Sequence, residues 1–334
     1  MKVLIDHSSP FLLAHGGFQI QIEKTSQALT ELGVDVEYIR WWDGTQKGDL
    51  IHFFGEPRTD YLRRARAINL PVVLTILMSE TCNRSDHRLK MQGAIVRTLL
   101  KSPIGHGILD QLKWKAFLEN DRIIVGLAAE KKALKAIYGL SDSQIRIVPL
   151  GLSETYLHAG PPTRCEPHLI CTGTITAVKN SLELAKLAHR AQVPIQFVGK
   201  PYHLEDAYWK TFQSQIDGTI VKYVTHVSNE SEMIHLLQRA RGFVLMSDYE
   251  NWCLSAHEAV ACGLPILVPD QKWSRERFGE KAHYFHGRGR TENSKAIKDF
   301  YDRCPQLKAP DIKLFSWHEV ARSLIEVYSE VLHL

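Results

Sequence analysis

The sequence predicts an α/β protein made of two Rossmann-like domains facing each other across a cleft. Three observations carry this: a length of 334 residues, an alternation of short apolar runs with amphipathic stretches, and a restart of that alternation near the middle of the chain. A chain of this length outgrows a single hydrophobic core, so two domains of roughly 150 residues each are the natural division. Apolar runs separated by helical periods are what parallel strands joined by crossover helices look like in sequence.

The first series opens with KVLI (2–5), the helix-like FQIQIEKTSQALTELG (18–33), VEYI (36–39), LIHFF (50–54) and PVVLTIL (71–77). It continues with DRIIVGL (121–127), the helical AAEKKALKAIYG (128–139) and IRIVPLG (145–151), and completes a first domain over 1–155. Gly139 serves as the stop of its helix. A polar, proline-containing stretch, SETYLHAGPPTRCEP (153–167), then precedes HLICTG, KNSLELAKLAHRA, PIQFVG, GTIVKYV, SEMIHLLQRA, GFVLM and PILVP, a second domain over 156–314. The tail FSWHEVARSLIEVYSEVLHL (315–334) places Val320, Leu324, Val327 and Val331 at helical spacing and reads as one amphipathic helix able to pack on either domain.

Composition narrows the function classes. Hydrophobic residues make up 44% and charged residues 23%, as in ordinary globular enzymes. A net charge of +4 is too mild to argue for nucleic acid, and none is expected as a partner, although an anionic ligand fits. The six cysteines form no CxxC pair and several lie in apolar runs, which points to reduced thiols and a cytoplasmic setting. No run approaches the roughly 20 apolar residues of a membrane span, and Asp6, His7 and Pro10 interrupt the N-terminal stretch. Any membrane contact is therefore expected from one side. Residues 84–115 carry Arg84, Arg88, Lys90, Arg97, Lys101, Lys113 and Lys115 against Asp86 and Asp110, interleaved with Ile95, Val96, Leu99 and Leu100. Such a basic amphipathic patch suits anionic lipid or an anionic acceptor, or is simply a solvated helix face.

The chemistry concentrates in DYENWCLSAHEAVACGLPILVPD (248–270). A loop after the strand GFVLM carries Glu250, and Glu258 lies about one turn inside the following helix. The amides of Asn251, Trp252, Cys253 and Leu254 point out of that helix start, a ready site for phosphate. Glu258 shares a face with Leu254 and Ala261 that should turn inward, so its carboxylate needs either a pair of ribose hydroxyls or a neighbouring lysine or arginine. Glu250 reads as a working residue or as a solvated loop acid. Asp248 and Glu250 also form a D-x-E, but magnesium needs further oxygen ligands and no His or Cys cluster suggests another metal, so none is expected. In GTITAVKN (173–180), Lys179 lies near a second helix start, where a lysine can neutralise a diphosphate or stand solvated. In HGGF (15–18), Gly16 and Gly17 let backbone approach a ligand or form a plain turn.

Taken together these residues resemble the retaining GT-B glycosyltransferases of the family 4 kind, in which an E-x7-E motif runs from a loop into a helix and on to Gly and Pro. Glu250, Glu258 and EAVACGLPILVPD (258–270) match that pattern, and GGF, AAEKKALKAIYGLSDSQIRIVPLG, GTITAVKN, FVGKP (197–201) and the terminal SW with Tyr328 extend the likeness over nearly the whole chain. The resemblance implies a metal-independent, retaining transfer of a sugar from a UDP- or GDP-linked donor to a glycan or lipid-linked acceptor, in polysaccharide or cell-envelope assembly. It implies that Glu258 binds the donor ribose, Lys179 the diphosphate and Glu250 the transferred sugar. Amides from Asn251 to Leu254, with Gly173 and Thr174, would hold sugar and phosphate; backbone near Gly199, Lys200 and Val227 would hold the base. Gly16 and Gly17 would line the acceptor side, and the last helix would return to the first domain.

Three places in the chain depart from the family pattern. Thr174 stands where an arginine is usual, Leu77 and Met78 replace a His-Asp-like turn, and Lys272 and Trp273 replace a glycine pair. Lys200, Lys272 or Arg275 are left to supply the missing charge. A catalytically silent protein binding a nucleotide sugar or glycan, and a nucleotide-sugar epimerase of the same architecture, are the alternative readings.

Overall fold

A computed structural model describes residues 1–11, 16–161, 165–285 and 289–333. The chain forms two compact units, Met1–Gly151 with Trp317–Leu334, and Leu152–Ser316. The expected boundaries at 155/156 and 314/315 fall a few residues from these crossings, and 162–164 of the polar linker lie outside the described residues. The two crossings are tied locally, since Leu152 N–H donates to the Phe315 carbonyl at 2.8 Å.

The first unit holds six parallel strands: β1 (Lys2–His7), β2 (Asp35–Tyr38), β3 (Leu50–Phe54), β4 (Val72–Thr75), β5 (Arg122–Val125) and β6 (Ile145–Ile147). Their order is β2-β1-β3-β4-β5-β6. β3 and β4 are buried along their whole length, which is why they read as unbroken apolar runs. The terminal helix Trp317–Leu332 belongs to this unit and buries Val320, Leu324, Val327 and Tyr328, whereas Val331 is half-buried. Its Tyr328 hydroxyl meets His52 Nδ1 at 2.6 Å, and the other ring nitrogen of His52 meets Thr75 Oγ1 at 2.6 Å. Between β4 and β5 the chain inserts the helices Asp86–Leu99 and Pro103–Gln111, which the sequence marked only as a basic amphipathic stretch.

The second unit holds β7 (Leu169–Thr172), β8 (Ile195–Val198), β9 (Val221–Val224), β10 (Gly242–Val244), β11 (Ile266–Pro269) and β12 (His283–Phe285), in the order β12-β11-β10-β7-β8-β9. The chain builds outward from β7 to β9 on one side and from β10 to β12 on the other. The order therefore reverses between β7 and β10, and ligands of open parallel sheets bind beyond the carboxyl ends of the strands at such a switch point. The loops 173–180 and 245–253 leave the sheet there.

Candidate functional site in the second unit

Both loops end in strained helix starts. Asn180 (φ 51°) precedes the helix Ser181–Ala191, and Cys253 (φ 60°) precedes the helix Leu254–Ala261. Left-handed backbone is costly for residues with a Cβ, and it persists where the surroundings enforce it, often at functional sites. Here the two loops hold each other. Asp248 N–H donates to the Val178 carbonyl at 2.8 Å, and the Asn180 amide donates to Asp248 Oδ1 at 2.8 Å and to the Met246 carbonyl at 3.1 Å. Gln271 adds a brace by donating to the Asp248 carbonyl.

Lys179 and Glu250 are brought together by this bracing. The lysine ammonium donates to Glu250 Oε1, which also accepts from Ser247 Oγ at 2.8 Å. Glu250 is buried at 8% exposure, so it is not the solvated loop acid that one reading allowed. Burial works against the charge of Lys179, but the adjacent Glu250 carboxylate outweighs it and holds the lysine above its ordinary value. The D-x-E pair is likewise committed to protein partners, and among the described residues no three His, Cys, Asp or Glu side chains are grouped to share a metal ion.

Glu258 differs. It is half-buried with Leu254 and Ala261, while Ala256, His257, Ala259 and Val260 carry the buried face, so the inward face expected for Glu258 is displaced. Small residues surround this helix on more than one side, and alanines alone do not mark which side packs. Among the described residues Glu258 has no ion pair and no hydrogen-bond donor, against the salt bridge that was the plain alternative. Burial, and then the nearby Glu230 carboxylate, push its pKa up to about 7. An acceptor group with unmet capacity thus sits one turn inside a helix whose first-turn amides lack intrahelical acceptors.

The remaining expected donor-site residues lie in loops that follow β7, β8 and β9 of the same sheet. Gly173 and Thr174 follow β7, and Gly199 and Lys200 follow β8. At Gly199 an added Cβ would lie 1.9 Å from the Gly173 carbonyl oxygen, so only glycine permits the two loops to approach. Gly173 faces open space, with nothing within 4 Å of its own added Cβ. Val227 is half-buried in the loop between β9 and the helix Glu230–Arg239. Of the cations considered as substitutes for the missing arginine, Arg275 is engaged by Asp270 at 2.6 and 2.8 Å and by Glu280 at 2.9 Å. Lys272 has partners too. Lys200 is half-buried beside Gly199, with no ion pair among the described residues. Trp273 is fully buried and donates from Nε1 to Gln271 Oε1 at 2.9 Å, so the Lys272-Trp273 departure serves the brace.

Sequence reasoning missed the support beneath the loop. Trp252 stacks against the His257 ring, 4.9 Å away and nearly parallel, and the Arg277 guanidinium lies 4.1 Å from the centre of the Trp252 ring. His257 faces the Cys253 carbonyl with Nδ1 at 3.0 Å and Arg277 Nε with Nε2 at 3.2 Å. Since Arg277 can only donate, Nε2 accepts and the proton is on Nδ1. Burial lowers the His257 pKa to about 3, keeping it neutral in this role. The Asn251 amide nitrogen is buried without a hydrogen-bond partner. No periodicity announces this stack, although the closely spaced Trp252 and His257 were visible. Gly16, at φ 134°, and Gly17 are in the first unit, at the start of the helix Gly17–Glu31.

The family model of glycosyl transferases group 1 matches residues 166–299, a span that contains β7 to β12 and the whole site above. No protein of curated function matches the sequence. Among solved structures, the chain resembles a sucrose-phosphate synthase from Thermosynechococcus elongatus, with TM-score 0.70, 15% identity and 100% of both chains covered. It also resembles a lipopolysaccharide outer core galactosyltransferase, with TM-score 0.65, 12% identity, and 99% of this chain and 100% of that one covered. An Anabaena protein solved with UDP and glucose gives TM-score 0.63 at 12% identity over 98% of this chain and 99% of that one. The chain therefore has the GT-B fold, and its second unit matches the group 1 glycosyl transferases.

Proposed function

We propose that the protein is a glycosyltransferase whose second unit binds a UDP- or GDP-linked sugar and whose first unit receives a glycan or lipid-linked acceptor in polysaccharide or cell-envelope assembly. The observation that carries the reading is the pairing of an unpartnered acidic acceptor, Glu258, with a half-buried Lys179–Glu250 ion pair at a helix start on the switch point. A nucleotide sugar has complementary parts: a ribose diol that donates two hydrogen bonds, a diphosphate that seeks cations and amides, and a sugar rich in hydroxyls.

On this reading Glu258 accepts from the ribose hydroxyls. Lys179, Lys200 and the amides near Asn251 to Leu254 face the diphosphate, with Gly173 and Thr174 leaving it room. Glu250 keeps Lys179 charged and borders the transferred sugar. Backbone near Gly199 and Val227 borders the base, and Gly16 and Gly17 border the acceptor. The leaving nucleoside diphosphate develops negative charge as the glycosidic bond breaks, and preorganised amides and ammonium groups stabilise it in place of a divalent cation. The sugar is transferred with retention, the acceptor hydroxyl attacking on the face that the diphosphate leaves and passing its proton to the departing diphosphate oxygen.

Incubation with a panel of UDP- and GDP-sugars in the presence of EDTA tests this reading. Release of the nucleoside diphosphate with one donor, accelerated by a glycan or polyprenyl-phosphate acceptor, is the expected result. Tight donor binding with no release for any acceptor would instead favour a silent binding protein.

A further inference from the structure

The helical insert between β4 and β5 has a structure that the site does not use. Its first helix, Asp86–Leu99, turns Leu89, Gly93 and Val96 inward. Gly93 sits so close to the helix Ala128–Tyr138 that an added Cβ would lie 2.3 Å from the Ala136 carbonyl oxygen. Gly105, in the second helix Pro103–Gln111, would bring a Cβ within 2.0 Å of the Leu99 carbonyl oxygen. These glycine contacts fix one packed side on each helix.

Away from those contacts the pair exposes large apolar side chains where solvent would favour polar residues. Met91 (54% exposed) and Ile95 (50%) stand one turn apart on the first helix. Ile104 (80%), Ile108 (39%) and Leu112 (46%) follow at successive turns of the second and its cap. A single exposed isoleucine is ordinary, but five large exposed apolar side chains on one helical pair are not. Around them Arg88, Lys90, Arg97 and Lys101 make no ion pair among the described residues. The two acids of the stretch are occupied, Asp86 by Lys132 at 2.6 Å and Asp110 by Lys115 at 3.7 Å.

The geometry points to an in-plane docking surface for an anionic lipid bilayer, with the isoleucines entering the headgroup and acyl boundary and the free cations meeting lipid phosphates. Charge complementarity selects this occupant: an apolar strip rimmed by uncompensated positive charge is the composition of a monolayer-bound helix. A protein partner would leave those cations without counterions unless it were itself acidic. No described helix is long and apolar enough to cross a membrane, so the contact is with one leaflet. This surface does not depend on the sugar-transfer reading.

Cosedimentation of the full chain with vesicles of phosphatidylcholine alone, or containing phosphatidylglycerol, tests the inference. Binding to the anionic vesicles is expected to exceed that to the neutral ones by about tenfold or more and to fall as salt is raised. Ile95→Glu with Ile104→Glu should abolish it, and Lys90→Gln with Lys101→Gln should reduce it on anionic vesicles, all with unchanged far-ultraviolet circular dichroism and melting temperature. Equal binding to both vesicle types, or folded variants that bind as the parent does, would overturn the proposal. So would concentration-dependent self-association without lipid that the isoleucine variants remove, combined with no vesicle binding by the parent, because the face would then join copies of the chain.

Discussion

At the scale of single residues, the ionisation of Glu258 sets up an exchange between stability and ligand binding. Its folded-state pKa is raised to about 7 from an ordinary 4.5, so the folded protein holds this proton more tightly than the unfolded chain does. Stability from this group is therefore highest below the unfolded value, is lost as pH rises from about 4.5 to about 7, and stays lost above it. The full shift corresponds to about 3 kcal/mol as an upper limit, reduced here because the half-buried side chain is partly screened by water. Glu258→Gln is accordingly expected to stabilise the protein by about 1–2 kcal/mol at pH 8 and by little at pH 4.5, read from urea unfolding midpoints at the two pH values. An equal change at both would mean that the carboxylate is not held near neutrality. Glu250 and Glu258 were both legible in the sequence as acids near a helix start. Which was paired and which was not was illegible, because Lys179 reaches Glu250 only through a fold that brings residues 71 positions apart together.

At the scale of elements, sequence pattern marks strands most plainly where burial is two-sided. β3, β4, β7 and β11 are buried along their length and were visible as apolar runs. The inserted helices between β4 and β5 were harder to recognise because their exposed sides carry Met91, Ile95, Ile104 and Ile108, blurring the contrast between faces on which helical patterns depend. The loops of the site were legible as loops, but their mutual bracing by Asn180, Asp248 and Gln271 was not, since hydrogen bonds between distant loops leave no local pattern. The approach of Gly199 to Gly173 belongs to this scale and gives a sharp test. Gly199→Ala must displace the Gly173 loop, because the obstructing atom is a backbone carbonyl oxygen. The expected cost is about 1–3 kcal/mol, together with weaker nucleotide affinity, measured by thermal unfolding and titration. An unchanged melting temperature would show that the loop yields freely.

For the whole molecule, the restart of the strand–helix alternation predicted two α/β units, and the two six-stranded parallel sheets follow from it. The position of the crossings was less legible. Leu152 and Ser316 form an isolated bridge, and such a tie cannot be read from either segment alone. The terminal helix had an apolar stripe compatible with either unit. Its assignment to the first rests on Tyr328 meeting His52 and on His318 meeting Glu31 at 2.8 Å, contacts between residues far apart in the chain. On the proposed reading the second unit binds a nucleoside diphosphate through Glu258 and Lys179. Isothermal titration of UDP and GDP into the full chain, and into its Glu258→Ala and Lys179→Ala variants, tests it most directly. One of the nucleotides is expected to bind the parent, and each substitution to weaken that binding by about tenfold or more, the effect of losing a charge-assisted hydrogen bond. Binding of neither nucleotide, or binding unchanged in both variants, would contradict it.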